Sequence, residues 1–417
     1  MSEARTAEFL VHDDEVRAGL LSAIGAKNIE ELFEMIPKGA RMSAGLEVLG
    51  EPMGELSAQK ALATLARENN TDFTCFLGGG SYKRFIPAAI SAVSSRFEFL
   101  SAYTPYQPEV SQGSLEVMYD FQTYICKLTG ADVSNASVYD GASACAEAIL
   151  MACRLTKLNK AWVSEKINPN YLEVIKTYLW AGGIELVVGG NAPADLACKL
   201  FQYPNYWGEV VAPPAKTDKE LIIACVDLTS LAILEPPEFD IVVGDFGGLG
   251  IPVNFGGPYG GFIACKDAYK RQLPGRIVGK TIDKRGGTAF CLTLSAREQH
   301  IRREKATSNI CSNQAHSALC AVLYLSLLGE RGLKEVAQKS YDNAHKLADG
   351  LKAKGCKVLG ENFFHEFVVE TSDATTILEK LRANKILGGI KIAPDKILIT
   401  TTELIDDSDI EKYLAIF

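Results

Sequence analysis

From residue 142 to residue 264 the chain alternates short apolar runs, rich in β-branched residues, with helix-forming segments, and few folds accommodate that order. Strands are expected at 161–164, 184–188, 221–226, 240–244 and 260–264, with helices at 142–156, 169–181 and 194–202 between them. Alternation of this kind over about 140 residues implies an α/β protein with a mainly parallel sheet covered by helices. One connection breaks the rule. Between 240–244 and 260–264 stands FDIVVGDFGGLGIPVNFGGPYGGF, Phe239 to Phe262, with eight glycines from Gly244 to Gly261 and two prolines, Pro252 and Pro258. It has no crossover helix, so its two strands should be antiparallel. Glycine lets a backbone approach a ligand closely, and loops leaving buried α/β strands are where such sheets bind ligands. The stretch holds no lysine, histidine or cysteine. It can form a binding site, or half of one, without supplying a nucleophile.

The flanks are simpler. Asp13 or Asp14 can cap a helix through Leu21, and Ser57 precedes AQKALATLAREN, a strong helix former ending at Asn69-Asn70. Two turn-rich passages follow, Leu77-Gly-Gly-Gly-Ser-Tyr82 and the proline- and tyrosine-rich Ala102–Gly113, the second a long polar loop of the kind that is either functional or a plain connector. A helix is expected from Gly113 to Lys127. Helices resume from Ala296 to Lys354 in three pieces, broken near Ser312 and at Gly329–Gly332. The tail reads as a small α/β domain, with strands at 363–370 and 396–400 and helices at 374–383 and 407–415. The expected division is an N-terminal arm and loop (1–112), a large α/β domain (113–330) and a small C-terminal domain (331–417).

Composition narrows the function classes. A formal charge of −8 and the lack of a basic run argue against a nucleic-acid partner. No apolar segment approaches membrane-spanning length, and the N-terminus does not read as a signal peptide. The eleven cysteines stand singly in apolar contexts, as reduced thiols of a cytoplasmic protein do. His12, His300, His316, His345 and His365 share no metal-ligand spacing, so no metal site is expected.

Three places could carry chemistry. Tyr139-Asp-Gly-Ala-Ser143 is a turn opening a helix, where Gly141 and Ser143 could receive a phosphate or Asp140 and Ser143 could simply cap. Asp227 ends strand 221–226 at the carboxyl edge, where it could meet a positive ring nitrogen or a hydroxyl, or cap the next turn. Arg302 and Arg303 could reach an anion or lie on a solvated helix face.

Together, Ala102-Tyr-Thr-Pro-Tyr-Gln-Pro-Glu-Val-Ser-Gln-Gly113, Tyr139-Asp-Gly-Ala-Ser, Asn254-Phe-Gly-Gly-Pro-Tyr-Gly-Gly261 and Arg303-Glu-Lys-Ala-Thr-Ser-Asn-Ile-Cys311 carry a resemblance over essentially the whole chain. The sequence resembles the P-protein family of the glycine cleavage system, in the first-subunit branch of its two-subunit bacterial form. The resemblance implies a fold-type I pyridoxal phosphate-dependent architecture, with a mostly parallel seven-stranded sheet and a small C-terminal α/β domain. It implies as partners a second subunit, which would bind pyridoxal phosphate covalently, and the lipoylated H protein, with glycine as substrate.

The residues point the same way. A pyridoxal enzyme needs a lysine, an acid for the ring nitrogen and usually a ring to stack on the cofactor. Asp227 could be the acid. Where the lysine should follow, Gly247-Gly248 stands, and no histidine falls near Ser164–Pro169. Lys266 should emerge on the edge opposite the crevice. The expected roles are therefore a degenerate cofactor pocket at Gly141, Ser143, Asp227, Gly247 and Gly248, with no catalytic residue in this chain. Tyr103, Thr104, Tyr106, Gln107, Glu109 and Ser111 are expected to wall the substrate site or a lipoyl channel. The competing reading is a self-sufficient pyridoxal phosphate decarboxylase or transaminase.

Overall fold

The computed structural model describes residues 13–41, 50–100, 104–217 and 219–417. The chain divides into two compact units, Met1–Thr71 and Asp72–Phe417. The first contains helices α1 (Asp14–Ala23) and α2 (Glu55–Glu68). Asp13 caps α1 as expected, its carboxylate accepting the Val16 N–H at 2.8 Å. Gly54 opens α2, ahead of the expected start at Ser57.

The second unit is built on a seven-stranded sheet. Its elements are α3 (Gln112–Thr129), β1 (Val133–Ser134), α4 (Gly141–Thr156), β2 (Lys160–Val163), α5 (Pro169–Ala181), β3 (Glu185–Val188), β4 (Cys198–Tyr203), β5 (Leu221–Val226), β6 (Ile241–Asp245) and β7 (Gly261–Cys265). The strand order is β1-β7-β6-β5-β4-β2-β3, and only β7 runs against its neighbours. The antiparallel β6–β7 pair is the one read from the glycine-rich connection. Central β5, Leu-Ile-Ile-Ala-Cys-Val, is buried at every position, as a parallel strand covered on both faces must be. Ile223 and Cys225 face a core with Ile149 of α4 and Ile175 of α5. Ile222, Ala224 and Val226 face another with Phe121 and Ile125 of α3.

One expectation fails inside the sheet. Residues 194–202, read as a helix, contain β4 instead. Leu-Ala-Cys-Lys-Leu-Phe is short enough to suit either state, and burial between β2 and β5 decides it. Lys199, which resembles the solvated face of a helix, is buried and held by Glu220 at 2.7 Å and by the Ala215 carbonyl at 2.6 Å. A hairpin of β8 (Ile277–Ile282) and β9 (Thr288–Thr293) also escaped the sequence reading. Asp283 closes its turn, accepting the N–H groups of Arg285 and Gly287 at 2.8 Å.

Helix α6 (Ala315–Ala353) runs on from the sheet into the C-terminal segment. It breaks at Gly329, whose φ of 60° is readily adopted only by glycine, within the expected 329–332 interruption. Strands β10 (Lys357–Leu359), β11 (Glu366–Glu370), β12 (Ile390–Ala393) and β13 (Lys396–Thr400) form an antiparallel sheet in the order β10-β11-β13-β12. Helices α7 (Ala374–Ala383) and α8 (Asp407–Leu414) accompany it, as read from the sequence. Phe363 and Phe364, assigned to a strand, precede β11 as buried loop residues. No helix among the described residues is long and apolar enough to cross a membrane.

Candidate functional site

The carboxyl edge of the parallel strands gathers Gly141, Ser143, Asp227, Gly247 and Gly248. Helix α4 opens there on a capping box: Asp140 accepts the Ser143 N–H at 2.7 Å, and the Ser143 hydroxyl lies 3.3 Å from the Asp140 N–H. The Gly141 N–H is taken by Asp245, at the end of β6, at 3.2 Å. Asp245 also accepts the Gly247 N–H at 2.6 Å. Burial outweighs these two donors and pushes the Asp245 carboxyl up to about 7.

Asp227 does two things at once. Its Oδ1 caps the following turn through the Thr229 N–H at 3.0 Å. Its Oδ2 is buried, 3.9 Å from Nε2 of His365, with no hydrogen-bond partner among the described residues. Burial raises the Asp227 pKa, against the pull of the Arg84 charge and the turn N–H groups. His365 arrives from the C-terminal segment, just ahead of β11. Its Nδ1 lies 3.2 Å from Nη2 of Arg84, and burial, then the Arg84 charge, lowers its pKa well below the usual histidine value. Arg84 is in turn clamped by Glu403 at 2.8 Å and the Ser340 hydroxyl at 3.2 Å. A side chain begun at Gly248 would meet Arg84 Nε at 3.4 Å.

Tyr82 completes the wall. Its hydroxyl donates to Glu366 at 2.7 Å, and its ring stands edge-on to His365 at 4.5 Å. Glu366 also accepts the Gly79 N–H at 2.7 Å and the Thr400 hydroxyl at 2.6 Å, while burial raises its pKa. The space left among Tyr82, Tyr171, Asp227 and Asp245 is about 40 Å³, and its lining contains no lysine. A larger cavity of about 380 Å³ beside the Gly329 break shares no residue with this cluster.

The sequence reading missed Arg84, His365, Tyr82, Glu366 and Asp245. Asp245 and the Leu77–Tyr82 neighbourhood lay within stretches already singled out, but nothing local announced that a C-terminal histidine and glutamate would join them. Two glycines of the run serve packing within the chain. A Cβ at Gly260 would stand 2.0 Å from the Phe246 ring, and one at Gly261 2.1 Å from the Asp140 carbonyl. These glycines let the chain approach itself. Lys266 lies at the amino edge of β6, its Nζ 3.3 Å from Asp240, as anticipated. Arg302 and Arg303 are exposed, as either reading of them requires.

Of the expected wall residues, Tyr103 lies outside the described residues. Thr104 and Tyr106 meet at a buried arginine, Arg276: its Nη2 is 3.4 Å from the Thr104 hydroxyl, and its guanidinium carbon is 5.6 Å from the Tyr106 ring centroid. Gln107 and Glu109 are exposed, and Ser111 is half-buried just ahead of α3. Gln112 pins this loop, donating to the Pro108 and Phe290 carbonyls at 2.7 and 2.9 Å.

Comparison with known proteins gives this arrangement a context. Residues 7–417 match the family model described as glycine cleavage system P-protein. A curated relative, the probable glycine dehydrogenase (decarboxylating) subunit 1 of Thermotoga maritima, is 42% identical, with 97% of this chain and 98% of the relative aligned. A crystal structure of the glycine decarboxylase P-protein in inhibitor-bound form superposes with a TM-score of 0.86 at 37% identity, covering 99% of this chain and 100% of that one. Glutamate decarboxylase from Lactobacillus brevis shares the fold alone, with a TM-score of 0.64 at 12% identity over 93% of this chain and 95% of that one. The seven-stranded sheet is therefore that of the fold-type I pyridoxal phosphate-dependent enzymes, and the chain belongs to the glycine cleavage system P-protein family, in its glycine dehydrogenase (decarboxylating) subunit 1 branch.

Proposed function

We propose that this chain is the member of a glycine decarboxylase pair that holds no pyridoxal phosphate covalently. The partner, subunit 2, would hold the cofactor, and the pair would decarboxylate glycine in the cytoplasm and pass the aminomethyl group to the lipoyl arm of the H protein. The observation carrying this reading is that the carboxyl-edge residues do not suit the cofactor. A phosphate at the start of α4 would compete with Asp140 and Asp245 for the N–H groups of Ser143 and Gly141. It would also add negative charge beside Asp227 and Asp245. About 40 Å³ suits a water or two, not a substituted pyridine. The acid that would serve a ring nitrogen, Asp227, has Arg84 and His365 as its neighbours.

Under this reading Thr104, Tyr106, Gln107, Glu109 and Ser111, with Tyr103, wall the shared site and supply hydrogen bonds but no nucleophile. Gly141, Ser143, Asp227, Gly247 and Gly248 are a cofactor pocket closed by the chain's own side chains. Borohydride reduction of the assembled complex, followed by peptide mapping, tests it. The pyridoxyl group should appear on a lysine of subunit 2. A pyridoxyl group on Lys266, Lys280, Lys284 or any other lysine of this chain would overturn the reading and favour a self-sufficient pyridoxal phosphate enzyme.

A further inference from the structure

Arg276 sits outside the carboxyl-edge cluster and is occupied in an unusual way. It is 4% exposed, at the head of the β8–β9 hairpin. Its fork serves three oxygens on two other segments: the Cys311 carbonyl at 2.8 Å, Asn313 Oδ1 at 3.1 Å and the Thr104 hydroxyl at 3.4 Å. Its own carbonyl accepts the Ala136 N–H at 2.8 Å. The Tyr106 ring covers the guanidinium at 5.6 Å, within cation–π range. The Glu298 carboxylate is 3.9 Å from Nε, beyond hydrogen-bond distance, and neither Arg276 Nε nor Glu298 Oε1, both buried, has a hydrogen-bond partner among the described residues.

Burying a guanidinium costs desolvation energy, which the Glu298 charge offsets in part without a hydrogen bond. What its geometry does secure is the joining of separate segments. Residues 311–314 are fastened to 136–139 through the Cys311 N–H to the Tyr139 hydroxyl (2.9 Å) and the Asn313 amide to the Ala136 carbonyl (2.6 Å). Those residues lead directly into α4. Arg276 thus connects the Thr104–Tyr106 loop to the segment that sets the start of α4, and a lysine could not, because a single ammonium lacks the planar fork and the flat face.

We propose that Arg276 is a positioning residue for glycine decarboxylation, holding Thr104 and the Tyr106 ring in the arrangement the shared site needs. This rests on the reading that the 103–111 loop walls that site. The test is a double-variant cycle in the complex with subunit 2 and H protein, comparing Tyr106→Phe, Arg276→Met and both together for kcat and KM with glycine. Tyr106→Phe and Arg276→Met should each lower kcat/KM by about tenfold or more, and the double variant should fall little below the worse single one. Co-migration of the two subunits on gel filtration should be unchanged. Arg276→Lys, which keeps the buried charge and loses the fork, should show the same loss and decides the matter if Arg276→Met does not assemble. Impaired Tyr106→Phe with wild-type kinetics in the Arg276 variants, or with losses that multiply, would overturn the positioning role and leave the loop reading intact. Wild-type kinetics in Tyr106→Phe would overturn the loop reading, and this inference with it.

Discussion

Replacing Asp245 by asparagine isolates the electrostatics of the crevice. The carboxyl lies at the end of β6, largely shielded from water, near Asp140 and Asp227, whose charges also oppose its ionisation. Two backbone donors, the N–H groups of Gly247 at 2.6 Å and Gly141 at 3.2 Å, favour the anion, but burial prevails and the group titrates at about 7. Against about 3.9 for a solvated aspartate the shift is roughly three units, or ~4 kcal/mol at 1.36 kcal/mol per unit. Between about pH 4 and 7 the folded chain keeps a proton that the unfolded chain has released. The contribution of this group is therefore fully present below about pH 4 and is lost as pH rises through 7. Asparagine does not titrate. Stability of Asp245→Asn minus wild type should thus climb with pH by up to ~1.4 kcal/mol per unit and level off above about pH 7. Urea midpoints of the assembled complex from about pH 5 to about 8.5 measure this. His365 and Glu366 titrate in both proteins and largely cancel in the difference. A constant offset reports the altered hydrogen bonds to Gly141 and Gly247. A difference that does not change with pH would refute the reasoning, since the carboxyl would then ionise as freely folded as unfolded.

Arg84→Met should destabilise the complex by about 3–5 kcal/mol, the usual loss when one partner of a buried pair is removed, because Glu403 keeps only the Phe85 N–H. Adding Glu403→Gln should recover part of that loss, and an unchanged urea midpoint in the single variant would show that the pair contributes nothing to stability. The isolated chain should self-associate and become monodisperse with subunit 2, since Phe255 is fully exposed and Val110 is 80% exposed, and obligate interfaces bury roughly 2,000–5,000 Å². Sedimentation showing a stable monomer indifferent to subunit 2 would count against that.

The sheet was legible because parallel strands buried on both faces leave a continuous signal: Ile-Ile-Ala-Cys-Val and Ile-Val-Val need no tertiary knowledge to be read. Strand β4 was not, because Lys199 and Gln202 interrupt the apolar run and only the buried partner Glu220 makes the lysine tolerable there. The hairpin of β8 and β9 was hidden for a related reason. Its strands alternate weakly, and Lys280 and Lys284 read more naturally as a solvated loop. In the carboxyl-edge cluster, the residues set by local chain geometry could be named from the sequence: Gly141 and Ser143 by helix-opening chemistry, Asp227 by the end of a strand. Arg84, His365 and Glu366 were not, since 281 residues separate Arg84 from the histidine it touches. No periodicity or motif encodes such a contact.

That division between legible fold and illegible crevice has a physical basis. The two cores flanking the sheet are built on apolar side chains, Ile223 and Ile149 on one face and Ile222 and Phe121 on the other. The crevice holds Asp227, Asp245 and Glu366, all shifted toward the protonated form by burial, with Arg84 as the cation that draws Asp227 back. Its integrity thus depends on charge balance within the chain. Arg84 is fixed from three sides, by Ser340 on α6, by His365 and by Glu403, so its charge cannot move to follow a ligand. An added phosphate would have to displace two carboxylates from the start of α4 and would gain no mobile cation in return. Under the proposed function, the sheet remains that of a pyridoxal enzyme while its crevice serves its own side chains, and the loops around Arg276 would be the part of this chain that faces a neighbouring site.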